Sequence, residues 1–239
     1  MVGLHPDGSP PSTSIPPEPI RPGRVRLAAG ELGAWVGRPW NNRGTQTYAT
    51  IIAANLLWLH GANDRLATAA LRTASTNLNG LGHDPVSVLI TSAFWLDLPG
   101  WRAAFTLCAG MLLVLGPVER RIGTGRWLVA FAAGHVGATL VVAVGLLIGI
   151  HTGHLSPEVS RSIDVGWSYG GVCMASVLTY LLPRRMRVAY GAMLVAFVVG
   201  GLIRHPTYTQ WGHLTAATIG LLIGPWVSRN ATVYRTVPA

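Results

Sequence analysis

Apolar residues gather into six runs along this chain, at about 44–62, 101–118, 127–150, 165–183, 187–203 and 211–228. Most approach the ~20 residues a helix needs to cross the hydrocarbon of a bilayer, and the fifth is short. Each is read as a membrane helix. Gln46, Asn55 and His60 dilute the first run, making it the weakest of the six. The stretch 63–100 between the first two runs is too polar to span. Within it, Leu66–Leu78 alternates small apolar residues with Arg72, Ser75 and Asn77, a pattern that predicts a helix lying in the interface. Pro183 with Arg184, Arg185 and Arg187 makes a very short turn between the fourth and fifth runs.

Outside the runs the pattern changes. Residues 1–43 are rich in proline and arginine and read as a largely disordered cytoplasmic tail, with a short interfacial helix near Leu27–Val36. No apolar stretch follows its basic residues early enough to form a cleavable signal peptide. Residues 229–239 read as a second tail. The expected organisation is an all-α membrane protein, with a six-transmembrane-helix bundle over 44–228.

Composition supports lipid as the solvent. Charged residues make up 11% of the chain, against about 25% in soluble domains. All 18 basic residues are arginine, for a net charge of +9. A nucleic-acid partner would require them in one patch, whereas here they sit in short clusters between apolar runs. With the amino terminus inside, the tails and the turns near 119–126 and 183–187 hold 13 of the arginines and the outer loops hold five. The positive-inside rule then places both termini in the cytoplasm. Cys108 and Cys173 both fall in apolar runs and read as small buried hydrophobes.

Two polar side chains stand near the starts of apolar runs. Ser168 lies in Gly166-Trp167-Ser168-Tyr169-Gly170-Gly171, and His213 follows Trp211-Gly212. In the topology above, the fourth and sixth runs both descend from the outer face. A rise of about 1.5 Å per residue puts Ser168 and His213 within roughly one turn of the same depth. Serine needs a base to take its proton, and His213 is the histidine placed to do so. The unpaired N–H groups at the start of a helix, around Ser168, would help hold an oxyanion. Gly166 with Gly170, and Ala216 with Gly220, form small-xxx-small pairs that let helices approach closely. The plainer reading is that serine and histidine each hydrogen-bond a neighbouring helix.

Other residues read more modestly. His135 with Thr139 lies near mid-bilayer in the third run and suggests an interhelical hydrogen bond, with an oxyanion role as the alternative. His151 and His154 lack a third metal ligand and read as loop residues. Asp164 reads as the N-cap of the fourth helix. Tyr169 is open between a cavity wall, a hydrogen-bond partner of His213 and a plug.

The order of these features resembles the rhomboid family of intramembrane serine proteases, in a divergent, bacterial-type form. Thr91-Ser92-Ala93-Phe94 is similar to that family's TSxF motif. Glu119-Arg120-Arg121-Ile122-Gly123 with Arg126-Trp127-Leu128 is similar to its ExxxGxxRFL, Gly166-Trp167-Ser168 to the GxS of GxSG, and Gly212-His213 with Ala216 and Gly220 to AHxxGxxxG. The resemblance implies a six-helix core in a bacterial plasma membrane. It also implies a Ser168–His213 dyad that cuts a membrane-anchored substrate without a cofactor or metal. Three departures stand out. The HxxxN positions of the second helix fall at about Ala103 and Leu107, the glycine after the serine is Tyr169, and the glycine three after the histidine is Ala216. They keep open a second expectation, an inactive rhomboid-like protein that binds transmembrane clients or a partner complex. A transporter is disfavoured, since the chain has no inverted repeat and no charge in the interior of its spans.

Overall fold

A computed structural model describes residues 42–98, 100–229 and 231; the expected helix near Leu27–Val36 lies outside the described residues. Those residues fold as helices with no strand. In chain order they are α1 (Arg43–Gly61), α2 (Asp64–Ala74), α3 (Leu78–His83) and α4 (Pro85–Thr91). A 3-10 turn at Ser92–Phe94 leads to α5 (Gly100–Ile122) and α6 (Thr124–His151). After a second 3-10 turn, Pro157–Arg161, come α7 (Ser168–Leu181), α8 (Arg184–Arg204) and α9 (Tyr208–Val227).

A helix stands at each of the six apolar runs, but only α5, α6 and α8 are long and apolar enough to cross a membrane on their own measure. Polar residues dilute α1, as its sequence foreshadows. The shortest of the six is α7, with 14 residues, about 21 Å against the ~30 Å of a hydrocarbon core. It begins later than the run 165–183 because Gly166 takes φ +140 ahead of it. At the other end Leu182 turns extended before Pro183. Ten residues of α7 are buried. It is packed between α6 and α9, so its surroundings are other helices rather than lipid. By contrast α8 buries only Leu194 and Val198 and turns Val188, Met193, Val195, Phe197 and Ile203 outward. That is the pattern of a helix facing lipid.

Two devices fix the long helices. In α5, Pro117 cannot donate a backbone hydrogen bond and its ring crowds the preceding turn. The helix widens there into a π turn at Met111–Leu115, with the Gly116 N–H donating to the Met111 carbonyl. Two residues on, the buried Glu119 carboxylate accepts from the N–H groups of Gly44 (2.9 Å) and Thr45 (2.7 Å) and from the Thr124 hydroxyl (2.7 Å). A negative charge on the free amides of α1 favours the helix dipole, and the same carboxylate ties α1, α5 and α6 together.

Close contact between α7 and α9 depends on a stripe at every fourth residue of α9: Gly212, Ala216, Gly220 and Gly224. A Cβ at Gly212 would strike the Tyr169 ring, one at Gly220 the Cys173 carbonyl, and one at Gly224 the Tyr180 ring. The expected Gly166–Gly170 pair plays no part in this contact. Gly166 precedes the helix, and Gly170 faces Phe131 of α6. The glycines of α9 face the Tyr169 and Tyr180 rings at the two ends of α7 and the Cys173 backbone with Ser176 between them. Cys173 is buried, with its thiol on the Ala130 carbonyl at 3.3 Å, while Cys108 is exposed, contrary to its expected burial.

Candidate functional site

Three short segments converge where α7 begins. Ser75–Asn77, after α2, are buried polar residues. Ser75 Oγ accepts from the Asp164 N–H at 2.8 Å, and the Thr76 N–H donates to the Asp164 carbonyl at 3.0 Å. The Ser92 carbonyl accepts from the Gly166 N–H at 2.9 Å. The turn carrying Ser92 is itself anchored, since the Ala93 carbonyl accepts from Tyr48 (2.6 Å) and the Phe94 carbonyl from Asn55 (3.0 Å). The segment entering Ser168 is thus hydrogen-bonded to both of the polar segments that precede α5.

Ser168 is the first residue of α7 and is half-buried. The Gly171 N–H closes the first helical bond on the Trp167 carbonyl at 2.8 Å, which leaves the amides before it outside the helix ladder. Asp164 is not the N-cap. That position is Trp167, without a side-chain cap bond. The Asp164 carboxylate turns instead to the hydroxyls of Thr76 and Tyr169, each 3.5 Å from Oδ2. Burial pushes its pKa up to about 6, and those two hydrogen bonds offset only part of the rise.

His213 lies on α9 with Nδ1 3.3 Å from Gln210 Oε1 and with Nε2 buried and unpartnered. Ser168 and His213 share no hydrogen bond, and the Ser168 hydroxyl has no partner among the described residues. Tyr169 lies between Asp164 and His213. Its ring stands edge-on to the His213 imidazole at 5.6 Å between centroids, and its hydroxyl donates to Asp164 rather than to His213. It also belongs to a row of rings running from Trp127 through Phe131, His135 and Tyr169 to His213 and Phe197, each 5.6–6.5 Å from the next.

His135 Nε2 lies 3.0 Å from Ser92 Oγ in the 3-10 turn after α4, both side chains being buried. Its Nδ1 and the Thr139 hydroxyl are buried without partners. Ala103 and Leu107 are buried and apolar, so α5 brings no side-chain donor at those two positions. Gly110 follows on the same face, where a Cβ would strike the Trp167 indole. His151 is exposed, and His154 Nδ1 lies 2.8 Å from Thr152 Oγ1. No group of residues that could hold a metal occurs among the described residues.

Sequence pattern does not pair Gln210 and Ser92 with the two histidines that they meet. For the first, the i, i+3 spacing of Gln210 and His213 on one helix face is the signal that the sequence carries. Comparison with curated proteins and with solved structures returns no match. A family model described as rhomboid-like protein matches residues 40–233, a span that includes every described residue. This all-helical integral membrane protein therefore belongs to the rhomboid-like family.

Proposed function

We propose that the protein is a rhomboid-like intramembrane serine protease in which Ser168 is the nucleophile and His213 the general base. The observation that carries this reading is the unpartnered, buried Nε2 of His213, on the helix packed along the one that Ser168 begins. Buried polar atoms without partners are uncommon and call for a role. Hydrolysis requires the Ser168 hydroxyl to come within hydrogen-bond reach of that nitrogen, a contact that free enzymes often leave unmade until substrate binds. Ser168 Oγ then attacks the scissile carbonyl of a membrane-anchored substrate as Nε2 takes its proton. Nε2 returns that proton to the leaving amine, and water releases the acyl group. The amides of Ser168, Tyr169 and Gly170 face the oxyanion. With Ala103 and Leu107 unable to donate, turnover falls by about 10²–10³, the cost of one missing oxyanion donor. The bundle crosses a bacterial plasma membrane six times, with both termini cytoplasmic, and α2 rests in the outer interface.

Membranes bearing the full chain, treated with a serine-directed fluorophosphonate, test the chemistry. Labelling is expected in the wild type and is abolished by Ser168→Ala and by His213→Ala. Equal signal in all three overturns the protease reading. A second reading, a client-binding protein that does not cut, is favoured by buried Ala103 and Leu107 and by the missing Ser168–His213 hydrogen bond. It predicts transmembrane clients that co-purify intact and are unaffected by Ser168→Ala.

A further inference from the structure

We propose that Gln210 is the positioning residue of His213, holding the imidazole as the Nδ1–H tautomer so that Nε2 is the basic nitrogen. The contact is 3.3 Å from Nδ1 to Oε1. An amide oxygen accepts and cannot donate, so the proton in this bond belongs to Nδ1. Nε2, sealed and without a partner, is then a bare lone pair. The opposite tautomer would bury an N–H with nothing to receive it and would set a nitrogen lone pair against an amide oxygen.

The amide itself is held. Gln210 packs against Gly201 near the end of α8, where an added Cβ would sit 2.6 Å from Oε1 and 3.1 Å from Cδ. Glycine at 201 thus makes room for the side chain and limits where its oxygen can go. On the other side the Tyr169 ring stands edge-on to the imidazole. Gln210, the Tyr169 ring and the Phe197 ring, from α9, α7 and α8, stand around the imidazole, and Gln210 defines its proton.

This deepens the hydrolytic reading and rests on it. As Oγ of Ser168 bonds the carbonyl carbon, its proton passes to Nε2. As the C–N bond breaks, that proton passes to the amine. The Nδ1 proton stays on Nδ1, donated to Gln210 Oε1 throughout, so the imidazolium formed midway keeps one of its N–H groups satisfied. A partner that fixes the tautomer of a catalytic histidine serves that role in soluble hydrolases, and a neutral amide can supply it without adding a charge at membrane depth.

The test uses the full chain in detergent micelles with ¹⁵N-labelled histidine, the His213 signals being assigned by their loss in His213→Asn. Nδ1–H is expected in the wild type. Gln210→Leu is expected to bring up the Nε2–H form and to slow fluorophosphonate labelling of Ser168 by about tenfold or more, the lower range for losing a histidine's orienting partner. Gln210→Glu, which keeps an oxygen at the same reach, is expected to retain the tautomer and to label within about threefold of wild type, by the same scale. Gly201→Ala keeps Gln210 but crowds it, and is expected to shift the tautomer in the direction of Gln210→Leu. Wild-type His213 as Nε2–H, or a Gln210→Leu protein with unchanged tautomer and labelling, overturns the proposal. A tautomer that shifts as expected in a protein that never labels at Ser168 upholds the hydrogen bond and removes its catalytic meaning, sinking the hydrolytic reading alone.

Discussion

Asp164 shows how far one carboxylate's surroundings can depart from its sequence context. Its place just ahead of an apolar run suggests a helix cap, yet backbone bonds to Ser75 and Thr76 turn the residue away from the amides of α7. The carboxylate faces the hydroxyls of Thr76 and Tyr169, and burial raises its pKa from 3.8 to about 6. In the unfolded chain the group ionises near its ordinary value, so between these two values the folded form holds the extra proton. The resulting stability is fully present below about pH 4 and is lost as the pH rises through about 6. Asp164→Asn removes this titration. Measured by thermal unfolding in detergent, the variant should gain on the wild type by on the order of 2 kcal/mol between about pH 4 and pH 7. Parallel stability curves for the two proteins across that range would rule out Asp164 as the source.

At the scale of helices, the contact between α7 and α9 reads most directly as physics. Gly220 lies over the Cys173 carbonyl and Ser176 Cβ, and the backbone of α7 cannot yield as a flexible side chain would. Gly220→Ala is therefore expected to push the helices apart and to destabilise the fold by about 1–3 kcal/mol. Gly145 of α6 is the control. It is exposed and a Cβ there meets nothing within 4 Å, so Gly145→Ala should be neutral or stabilising by up to about 1 kcal/mol. Denaturation in mixed micelles compares them; equal effects would mean that the stripe does not set the approach. Helix positions were legible because a bilayer imposes long apolar runs and arginine marks their ends. Ala216 and Gly220 stood out by their spacing. Other features were not legible, because they depend on which helices become neighbours. The central burial of α7 is one, since it frees a 14-residue helix from the length rule. The outward turn of Cys108 is another, and so is the pairing of His135 with Ser92, 43 residues away.

Across the whole molecule, the proposed topology has a consequence that the helix ends can test. With the amino terminus inside, α6 rises to the outer face and α8 starts again from the cytoplasmic one. Leu155, just beyond α6, and Met186, in the first turn of α8, are both exposed and would then lie on opposite sides of the membrane. The distribution of arginine predicts the same, since Arg184, Arg185 and Arg187 surround Met186 while Arg161 is the nearest to Leu155. A cysteine at each site, in a Cys108→Ser background that silences the exposed native thiol, can be probed with a membrane-impermeant maleimide. Leu155→Cys is expected to react in intact cells, and Met186→Cys only after permeabilisation. The reverse pattern would invert the bundle and place Ser168 and His213 below the inner leaflet, where substrates would have to be cut on the cytoplasmic side. Reaction of both sites in intact cells would mean that fewer than six segments cross. In that case α7, the shortest of the six and the helix between Leu155 and Met186, is the first that would have to be withdrawn from the count of crossings.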